Sequence, residues 1–419
     1  MRYFIITYGC QMNKSDSERI AAVLERTGYG PTLNINEADL ILINACSVRQ
    51  SAIDRIWGKV KIFPDLKNKN KNLKTVLTGC VLKKDRQKFN KSFDLILDLK
   101  DLHKLPKILK PFKKLSPQPK NYLAIRPKYQ TSFRAYVPVI TGCNNFCSYC
   151  AVPHTRGKEI SRGAGEILRE AENSVKNGFK EIWLLGENVN SYRGSPQVDF
   201  PELLKSVNNI PGNFWIRFTS PHPKDFSDKL IAAVAQSEKV TKYINLPVQS
   251  GDDQILKKMN RPYTVKHYKS LVKKIRKKIK DVCLSTDVIV GFPGETKKQF
   301  KNTLKLFKEV KFDMAYIAQY SERAGTAASK LKDNVSHMEK ERRERALTKV
   351  LKLTALENNK KYIGKTIDIL PEERINCFLV GKSSHYKTVK FESEKNLVGR
   401  FIKVKIIDAL PWGLKGKLT

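Results

Sequence analysis

Three short apolar runs in the first 80 residues each end on a cysteine: YFIITYGC at 3–10, LILINAC at 40–46 and TVLTGC at 75–80. Nearly continuous β-branched runs of this length read as strands buried on both faces of a parallel sheet. In an open α/β sheet, ligands bind beyond the carboxyl ends of the strands. Cys10, Cys46 and Cys80 would then converge on one crevice. The competing reading is three unrelated buried thiols, because cysteine is a common core residue.

The spacing between these runs suits helices. Ser15 through Thr27 puts Ile20, Val23 and Leu24 on one helical face, and DLILDL at 94–99 is a fourth strand candidate. Residues 1–115 therefore read as a small doubly wound α/β domain. The stretch from Phe112 to Lys128, with several prolines and lysines, reads as a linker.

A second cysteine group has tighter spacing. Cys143, Cys147 and Cys150 lie in TGCNNFCSYC, a C-x3-C-x2-C pattern, and thiolates so close in sequence point to a metal. Zinc with His154 as fourth ligand is one reading. An iron–sulfur cluster is the other, in which three thiolates leave one iron open to a substrate or cofactor. The C-x3-C-x2-C spacing resembles the signature of the radical S-adenosylmethionine (SAM) enzymes. Cys283 and Cys377 stand alone and read as core thiols.

From about 135 to 320, strands and helices alternate. Strand candidates are Val137–Thr141, Ile182–Leu185, Phe214–Thr219, Tyr243–Val248, Leu284–Val290 and Met314–Gln319. Helical patterns include Gly165–Lys176, Pro201–Asn208, Lys224–Gln236 and Val265–Lys280. Six strands in β/α order suggest a partial (β/α)6 barrel, with its chemistry at the C-terminal face. After a charged helix at 336–360, five short strand patterns suggest a small all-β barrel of the kind that binds oligonucleotides.

The 79 Lys and Arg against 41 Asp and Glu give a formal charge of +38. That field attracts polyanions, nucleic acid above all, although evenly spread surface lysine explains the number equally well. No apolar run approaches the roughly 18 residues of a membrane span, and the N-terminus lacks the pattern of a signal peptide. A cytoplasmic protein is expected, and no membrane partner.

Taken together, the motifs identify a family. YGCQMN (8–13), NACSVR (44–49), GC (79–80), TGCNNFCSYCAVPHTRGKEISR (141–162), LLGENVNSY (184–192), RFTSPHP (217–223), INLPVQSGDDQILKKMNRPYT (244–264), LSTDVIVGFPGET (284–296) and YSERAGTAA (320–328) occur in order. The chain resembles the bacterial radical-SAM methylthiotransferases, most closely the branch acting on N6-isopentenyladenosine beside the tRNA anticodon. It departs from that pattern at Glu187, where Gln is frequent, and at Ala45, where Thr is usual.

The resemblance implies an N-terminal methylthiotransferase domain at 1–115, a radical-SAM core at 129–358 and a C-terminal RNA-binding TRAM domain, an OB-like barrel, at 359–419. It implies two [4Fe-4S] clusters. One, on Cys143, Cys147 and Cys150, would chelate SAM and cleave it to a 5′-deoxyadenosyl radical. The other, on Cys10, Cys46 and Cys80, would present sulfur. Glu187, Gln249, Gly291 and Gly294 are the expected SAM-binding residues, and Arg156 and Arg162 are candidates to neutralise SAM carboxylate or RNA phosphate. The partners implied are tRNA, an external electron donor and a sulfur donor. The same chemistry on N6-threonylcarbamoyladenosine or on a ribosomal protein is the alternative within the family. A non-enzymatic RNA-binding protein with structural metal sites is the alternative outside it.

Overall fold

The computed structural model describes all residues except 49, 110–120 and 196–197. Arg49 of NACSVR and the 112–120 part of the expected linker therefore lie outside the described residues. The chain forms two compact units. The first comprises Met1–Gln130, Tyr136–Arg162 and Ser321–Ser329, and the second Thr131–Ala135, Gly163–Tyr320 and Lys330–Thr419.

In the first unit the three apolar runs are strands Arg2–Thr7, Leu40–Cys46 and Lys74–Cys80. They are the three central strands of a five-stranded sheet, flanked by Gly30–Pro31 on one side and Leu95–Ile96 on the other. All pairings are parallel. Side chains alternate across a strand, and the burial follows that alternation. Leu40 and Leu42 pack with Ile20, Val23 and Leu24 on one face. Ile41 and Ile43 pack with Ile53, Ile56 and Phe63 on the other. Each such side chain contributes about 1.5–3 kcal/mol on burial, so a one-residue slip in register would exchange the two cores at large cost.

Two expectations for this unit change. The run 94–99 is a strand only at Leu95–Ile96, and Leu99–Lys104 is a 3-10 helix whose Leu99 and Leu102 turn into the core. Tyr122, Leu123 and Ile125, expected in a linker, are buried in the same core. The surrounding prolines and lysines hide that short apolar triplet.

The strand expected at Val137–Thr141 is two pieces, Arg134–Pro138 and Ile140–Thr141. In the second unit, Glu181–Leu185 and Trp215–Phe218 pair in parallel, with the strand begun by Arg134 and Ala135 at the edge of their sheet. Tyr243–Asn245, Cys283–Val290 and Met314–Gln319 form a second parallel sheet. The six strands are thus divided between two three-stranded sheets, with a single bridge, Ile216 to Val240, beyond the first. The strand expected at Tyr243–Val248 stops at Asn245, since Pro247 has no N–H to give a ladder.

The C-terminal strands Thr366–Ile375, Phe378–Ser383, Thr388–Glu392, Ile402–Leu410 and Gly413–Leu418 close into a five-stranded barrel. Its core holds Ile369, Leu379, Val389, Phe391, Val404, Ile406 and Leu414. Its Ser383–Lys387 turn meets the amino ends of the parallel strands. Arg217 donates to Ser383 O at 2.8 Å, Tyr386 stacks on Tyr243 at 4.6 Å, and Lys387 pairs with Asp313 at 2.7 Å. The carboxyl ends of those strands are left to other residues.

Candidate active site

Cys46 and Cys80 end two neighbouring strands, and Cys10 lies three residues beyond a third, Arg2–Thr7. Cys46 and Cys80 are register partners, with Ser47 N donating to Cys80 O at 2.7 Å. Gly79 allows this approach. Its φ is +103°, and a Cβ there would stand 2.3 Å from Ala45 O. Cys10 is exposed and caps the helix Gln11–Arg26, while Cys46 and Cys80 are buried. The helix starts earlier than the apolar pattern indicates because Cys10 and Asn13 form a capping box, with Asn13 Oδ1 accepting from Cys10 N at 3.1 Å. Cysteine is not a usual capping residue, so the pattern gives no warning.

A buried polar network supports these cysteines. Asn13 Nδ2 donates to Asn44 Oδ1 at 3.2 Å and to Ala45 O at 3.3 Å, and it lies 3.9 Å from Cys80 Sγ. Asn44 Nδ2 donates back to Asn13 O at 2.7 Å and to Ser17 Oγ at 2.9 Å. Arg156 Nε donates to Cys80 Sγ at 3.0 Å. The bond between the two thiols lowers the Cys46 pKa and raises that of Cys80, and burial raises both.

The second cysteine group is in the same unit, on the loop between Ile140–Thr141 and Ile160–Ser161, which pair antiparallel. Gly142, at φ +80°, opens the loop, and a Cβ there would meet Lys158 O at 2.1 Å. Cys143 N donates to Gly157 O at 3.1 Å, and Cys150 N to Cys147 O at 2.9 Å. Asn145 Nδ2 lies 3.6 Å from Cys143 Sγ, and Val152 N lies 3.5 Å from Cys150 Sγ. Burial pushes the Cys143 thiol up to about 11. Phe146, between the first two cysteines, is exposed with φ +46°, a strained conformation for a bulky residue. His154 is exposed on the short helix Val152–Thr155.

Segment 321–329 touches both cysteine loops. Arg323 donates to Val48 O at 3.1 Å and to Gln50 Oε1 at 2.8 Å, beyond Cys46, while Ala328 N donates to Ser148 O at 2.7 Å, between Cys147 and Cys150. The residue types of YSERAGTAA point to no chemistry of their own, so this bracing role has no signal in the sequence beyond the motif itself.

Both candidate arginines have partners within the protein. Arg162 is buried and donates to Pro138 O at 2.8 Å. Arg156, its side chain 4% exposed, is committed to Asp16, Tyr122 and Cys80. Cys283 is in the core, as expected. Cys377 is exposed, because it and Asn376 form the two-residue turn of a hairpin.

Glu187, Gln249, Gly291 and Gly294 all belong to the second unit. Glu187 follows the carboxyl end of Glu181–Leu185 and is half-buried. Gln249 is buried at φ +69°, and its backbone pairs with Asp287 and Ile289 beside the end of Cys283–Val290. Gly291 and Gly294, both at positive φ, follow that same end, and their amides donate to Glu295 Oε2 at 2.7 Å and Asn334 Oδ1 at 2.8 Å. Glu295 is paired in turn with Arg343 at 2.7 Å. Gln249, Gly291 and Gly294 thus gather at one strand end, and both glycines serve a turn there.

The donor chemistry suits iron–sulfur clusters. Each group offers three thiols from one loop or one sheet edge, with N–H donors beside the sulfurs, as thiolate ligands need. Among the described residues no three His, Cys, Asp or Glu side chains stand together at metal-holding geometry.

Two family profiles match the chain. The Radical SAM superfamily covers residues 137–307, and Uncharacterized protein family UPF0004 covers residues 2–98. Among solved structures, the radical S-adenosylmethionine methyltransferase TsrM from Kitasatospora setae aligns with a TM-score of 0.56 at 12% identity, covering 78% of this chain and 77% of that one. The cobalamin-dependent S-adenosylmethionine radical enzyme OxsB aligns at 0.55 and 12% identity, covering 83% and 56%. The fold and the cysteine loop define a radical SAM protein.

Curated relatives are more specific. The tRNA-2-methylthio-N(6)-dimethylallyladenosine synthase of Dictyoglomus thermophilum is 42% identical over 100% of this chain and 98% of its own length. That of Clostridium botulinum is 42% identical over 99% and 96%. The chain belongs to the tRNA-2-methylthio-N(6)-dimethylallyladenosine synthase family.

Proposed function

We propose that this chain is a tRNA methylthiotransferase that adds a methylthio group to C2 of N6-isopentenyladenosine, beside the anticodon. End-to-end identity of 42% with synthases of that name carries the reading. C2 of adenine is an unactivated carbon, so the hard chemistry falls to a cofactor. When bound, a [4Fe-4S] cluster on Cys143, Cys147 and Cys150 would supply the electron that cleaves SAM, and a second, on Cys10, Cys46 and Cys80, would supply sulfur.

The chain's own part is binding and positioning. The Gly142 turn and the hairpin of Ile140–Thr141 and Ile160–Ser161 hold the loop of Cys143, Cys147 and Cys150, and the Asn13–Asn44 network supports Cys10, Cys46 and Cys80. Gln249, Gly291 and Gly294 support a SAM-binding role by their place at a strand's carboxyl end, and Glu187 by its place at another. The domains proposed are methylthiotransferase 1–115, radical-SAM core 129–358 and TRAM 359–419.

The closed barrel supports tRNA binding. Lys405 is paired directly across from Lys417, both exposed, on adjacent antiparallel strands. Like charges directly opposite are destabilising, which a phosphate between them would relieve. No described helix is long and apolar enough to cross a membrane, and the reading places the chain with tRNA in the cytoplasm, served by separate electron and sulfur donors.

The test is mass spectrometry of tRNA nucleosides from a host lacking its own methylthiotransferases. Expression of the chain should yield 2-methylthio-N6-isopentenyladenosine, and Cys147→Ala should abolish it. A product found only on threonylcarbamoyladenosine, or on no nucleoside, would overturn the substrate.

A further inference from the structure

Arg156 belongs to the radical-SAM loop by sequence, six residues past Cys150, yet its guanidinium serves the other cysteine group. Its three nitrogens are divided among three partners. Nε donates to Cys80 Sγ at 3.0 Å, Nη1 to Tyr122 OH at 3.2 Å and Nη2 to Asp16 Oδ2 at 2.6 Å. Asp16 is fully buried, and the Arg156 side chain is 4% exposed.

Taking a guanidinium out of water costs several kcal/mol unless its donors are matched. Asp16 answers one donor with a charge and also fixes the plane of the group. The planar fork then cannot turn its Nε away from Cys80 without breaking a buried ion pair. A neutral thiol is a weak acceptor, and a thiolate, which keeps negative charge when it binds iron, is a better one. The arrangement is therefore poised for the ligated state of Cys80. A strut that merely joined the loop to the helix Gln11–Arg26 would need the Asp16 pair alone.

We propose that Arg156 is a positioning residue for the N-terminal cluster. Through its N–H to Cys80 Sγ and its adjacent positive charge, it stabilises that cluster's reduced form and couples the SAM-cluster loop to the sulfur-presenting site. This rests on the reading that Cys10, Cys46 and Cys80 hold a cluster. Hydrogen bonds to cluster sulfur raise the reduction potential, and a cation at the same sulfur acts in the same direction.

The test is a redox titration of the loaded full-length chain followed by electron paramagnetic resonance. SAM perturbs the signal of the cluster that binds it, so the SAM-insensitive signal reports the N-terminal one. In Arg156→Gln that signal should titrate at a lower potential. The ratio of reduced to oxidised cluster at the wild-type midpoint should fall about tenfold, equivalent to about 59 mV for a one-electron couple. Arg156→Lys, which keeps the charge but not the fork, should fall between. The SAM-responsive signal should not move.

Arg156→Lys carries the test if the glutamine variant loses iron. Full loading with an unmoved SAM-insensitive signal in both variants would overturn the proposal and leave Arg156 a strut. An equal shift of both signals would overturn it too, as a general disturbance. A wild-type chain that takes up about four irons rather than about eight, with no SAM-insensitive signal, would instead overturn the two-cluster reading and the proposal with it.

Discussion

Arg217 and Ser383 are joined by a 2.8 Å hydrogen bond from Nη2 to the Ser383 carbonyl. Through it, a parallel strand of the second unit grips the C-terminal barrel. Arg217 is fully buried, pairs with Glu181 at 2.5 Å, and lies against the rings of Trp183, Trp215 and Tyr386 at 5.7, 5.2 and 4.9 Å. Burial opposes ionisation of Glu181, but the Arg217 and Arg134 charges outweigh it and hold its pKa below the ordinary carboxylate value. The oligonucleotide-binding candidate is thus fixed by a buried ion pair at the amino ends of the strands.

Replacing Arg217 with Met takes a fully buried cation away from the Glu181 charge. Removing one partner of a buried ion pair costs about 3–5 kcal/mol. We expect Arg217→Met to lower the urea midpoint accordingly. Combining it with Glu181→Gln should restore part of the loss, because a buried charge left with Arg134 as its remaining ion-pair partner is then gone. A double variant no more stable than the single one would show that the guanidinium's bonds to the barrel turn, and not charge pairing, dominate.

Gly79 sets the distance between Cys46 and Cys80. A Cβ at that residue meets the Ala45 backbone and cannot be relieved by a side-chain rotation. The left-handed φ adds strain of about 1–3 kcal/mol. Gly79→Ala should therefore lower stability by at least that amount and reduce iron bound by the N-terminal group, with the SAM-responsive signal retained. Iron analysis and thermal unfolding would check both.

The parts of this architecture that are legible in the sequence are those written in local pattern. The runs ending at Cys10, Cys46 and Cys80 disclose their strands and their shared sheet edge because burial on both faces leaves a continuous apolar signature. Cys143, Cys147 and Cys150 share one loop between paired strands, as their close spacing requires. The place of Arg156 is not, because its partners are Asp16, Cys80 and Tyr122, and no local signal marks a side chain that pairs across that much chain. The backbones of Gln249 and Phe146 are also silent, since a positive φ at a residue other than glycine has no composition cue. The division of the six strands into two sheets depends on where ladders fail, which a strand count does not register.

Lys405 and Lys417 provide a test of the proposed RNA-facing surface. Each lysine that neutralises a phosphate steepens the dependence of log K on log salt by about 0.7–0.9. Replacing both lysines with Gln should therefore reduce the slope for tRNA binding by about 1.4–1.8 if each touches a phosphate. Barrel stability should hold or rise slightly, since a like-charge pair is removed. An unchanged slope would assign the two lysines to solvated surface.

His222 should make the second unit sensitive to acid. It is 6% exposed, and burial, reinforced by the Arg261 and Lys224 charges, pushes its pKa down to about 2. Its Nδ1 accepts from Lys224 N at 3.1 Å, which fixes a neutral ring with that nitrogen unprotonated. The unfolded chain protonates the same ring near 6.5. Above that pH neither state binds the proton and the histidine is neutral in its effect on stability. Below it, unfolding takes up a proton, so stability falls by about 1.4 kcal/mol per pH unit, down to about pH 2. At pH 5 the loss is about 2 kcal/mol. Asn at 222 offers its side-chain oxygen to the same amide but cannot titrate. His222→Asn should therefore lose about 2 kcal/mol less than the parent between pH 7 and pH 5, read from urea midpoints at the two pH values. Equal losses in parent and variant would show that the ring is protonated in the folded chain.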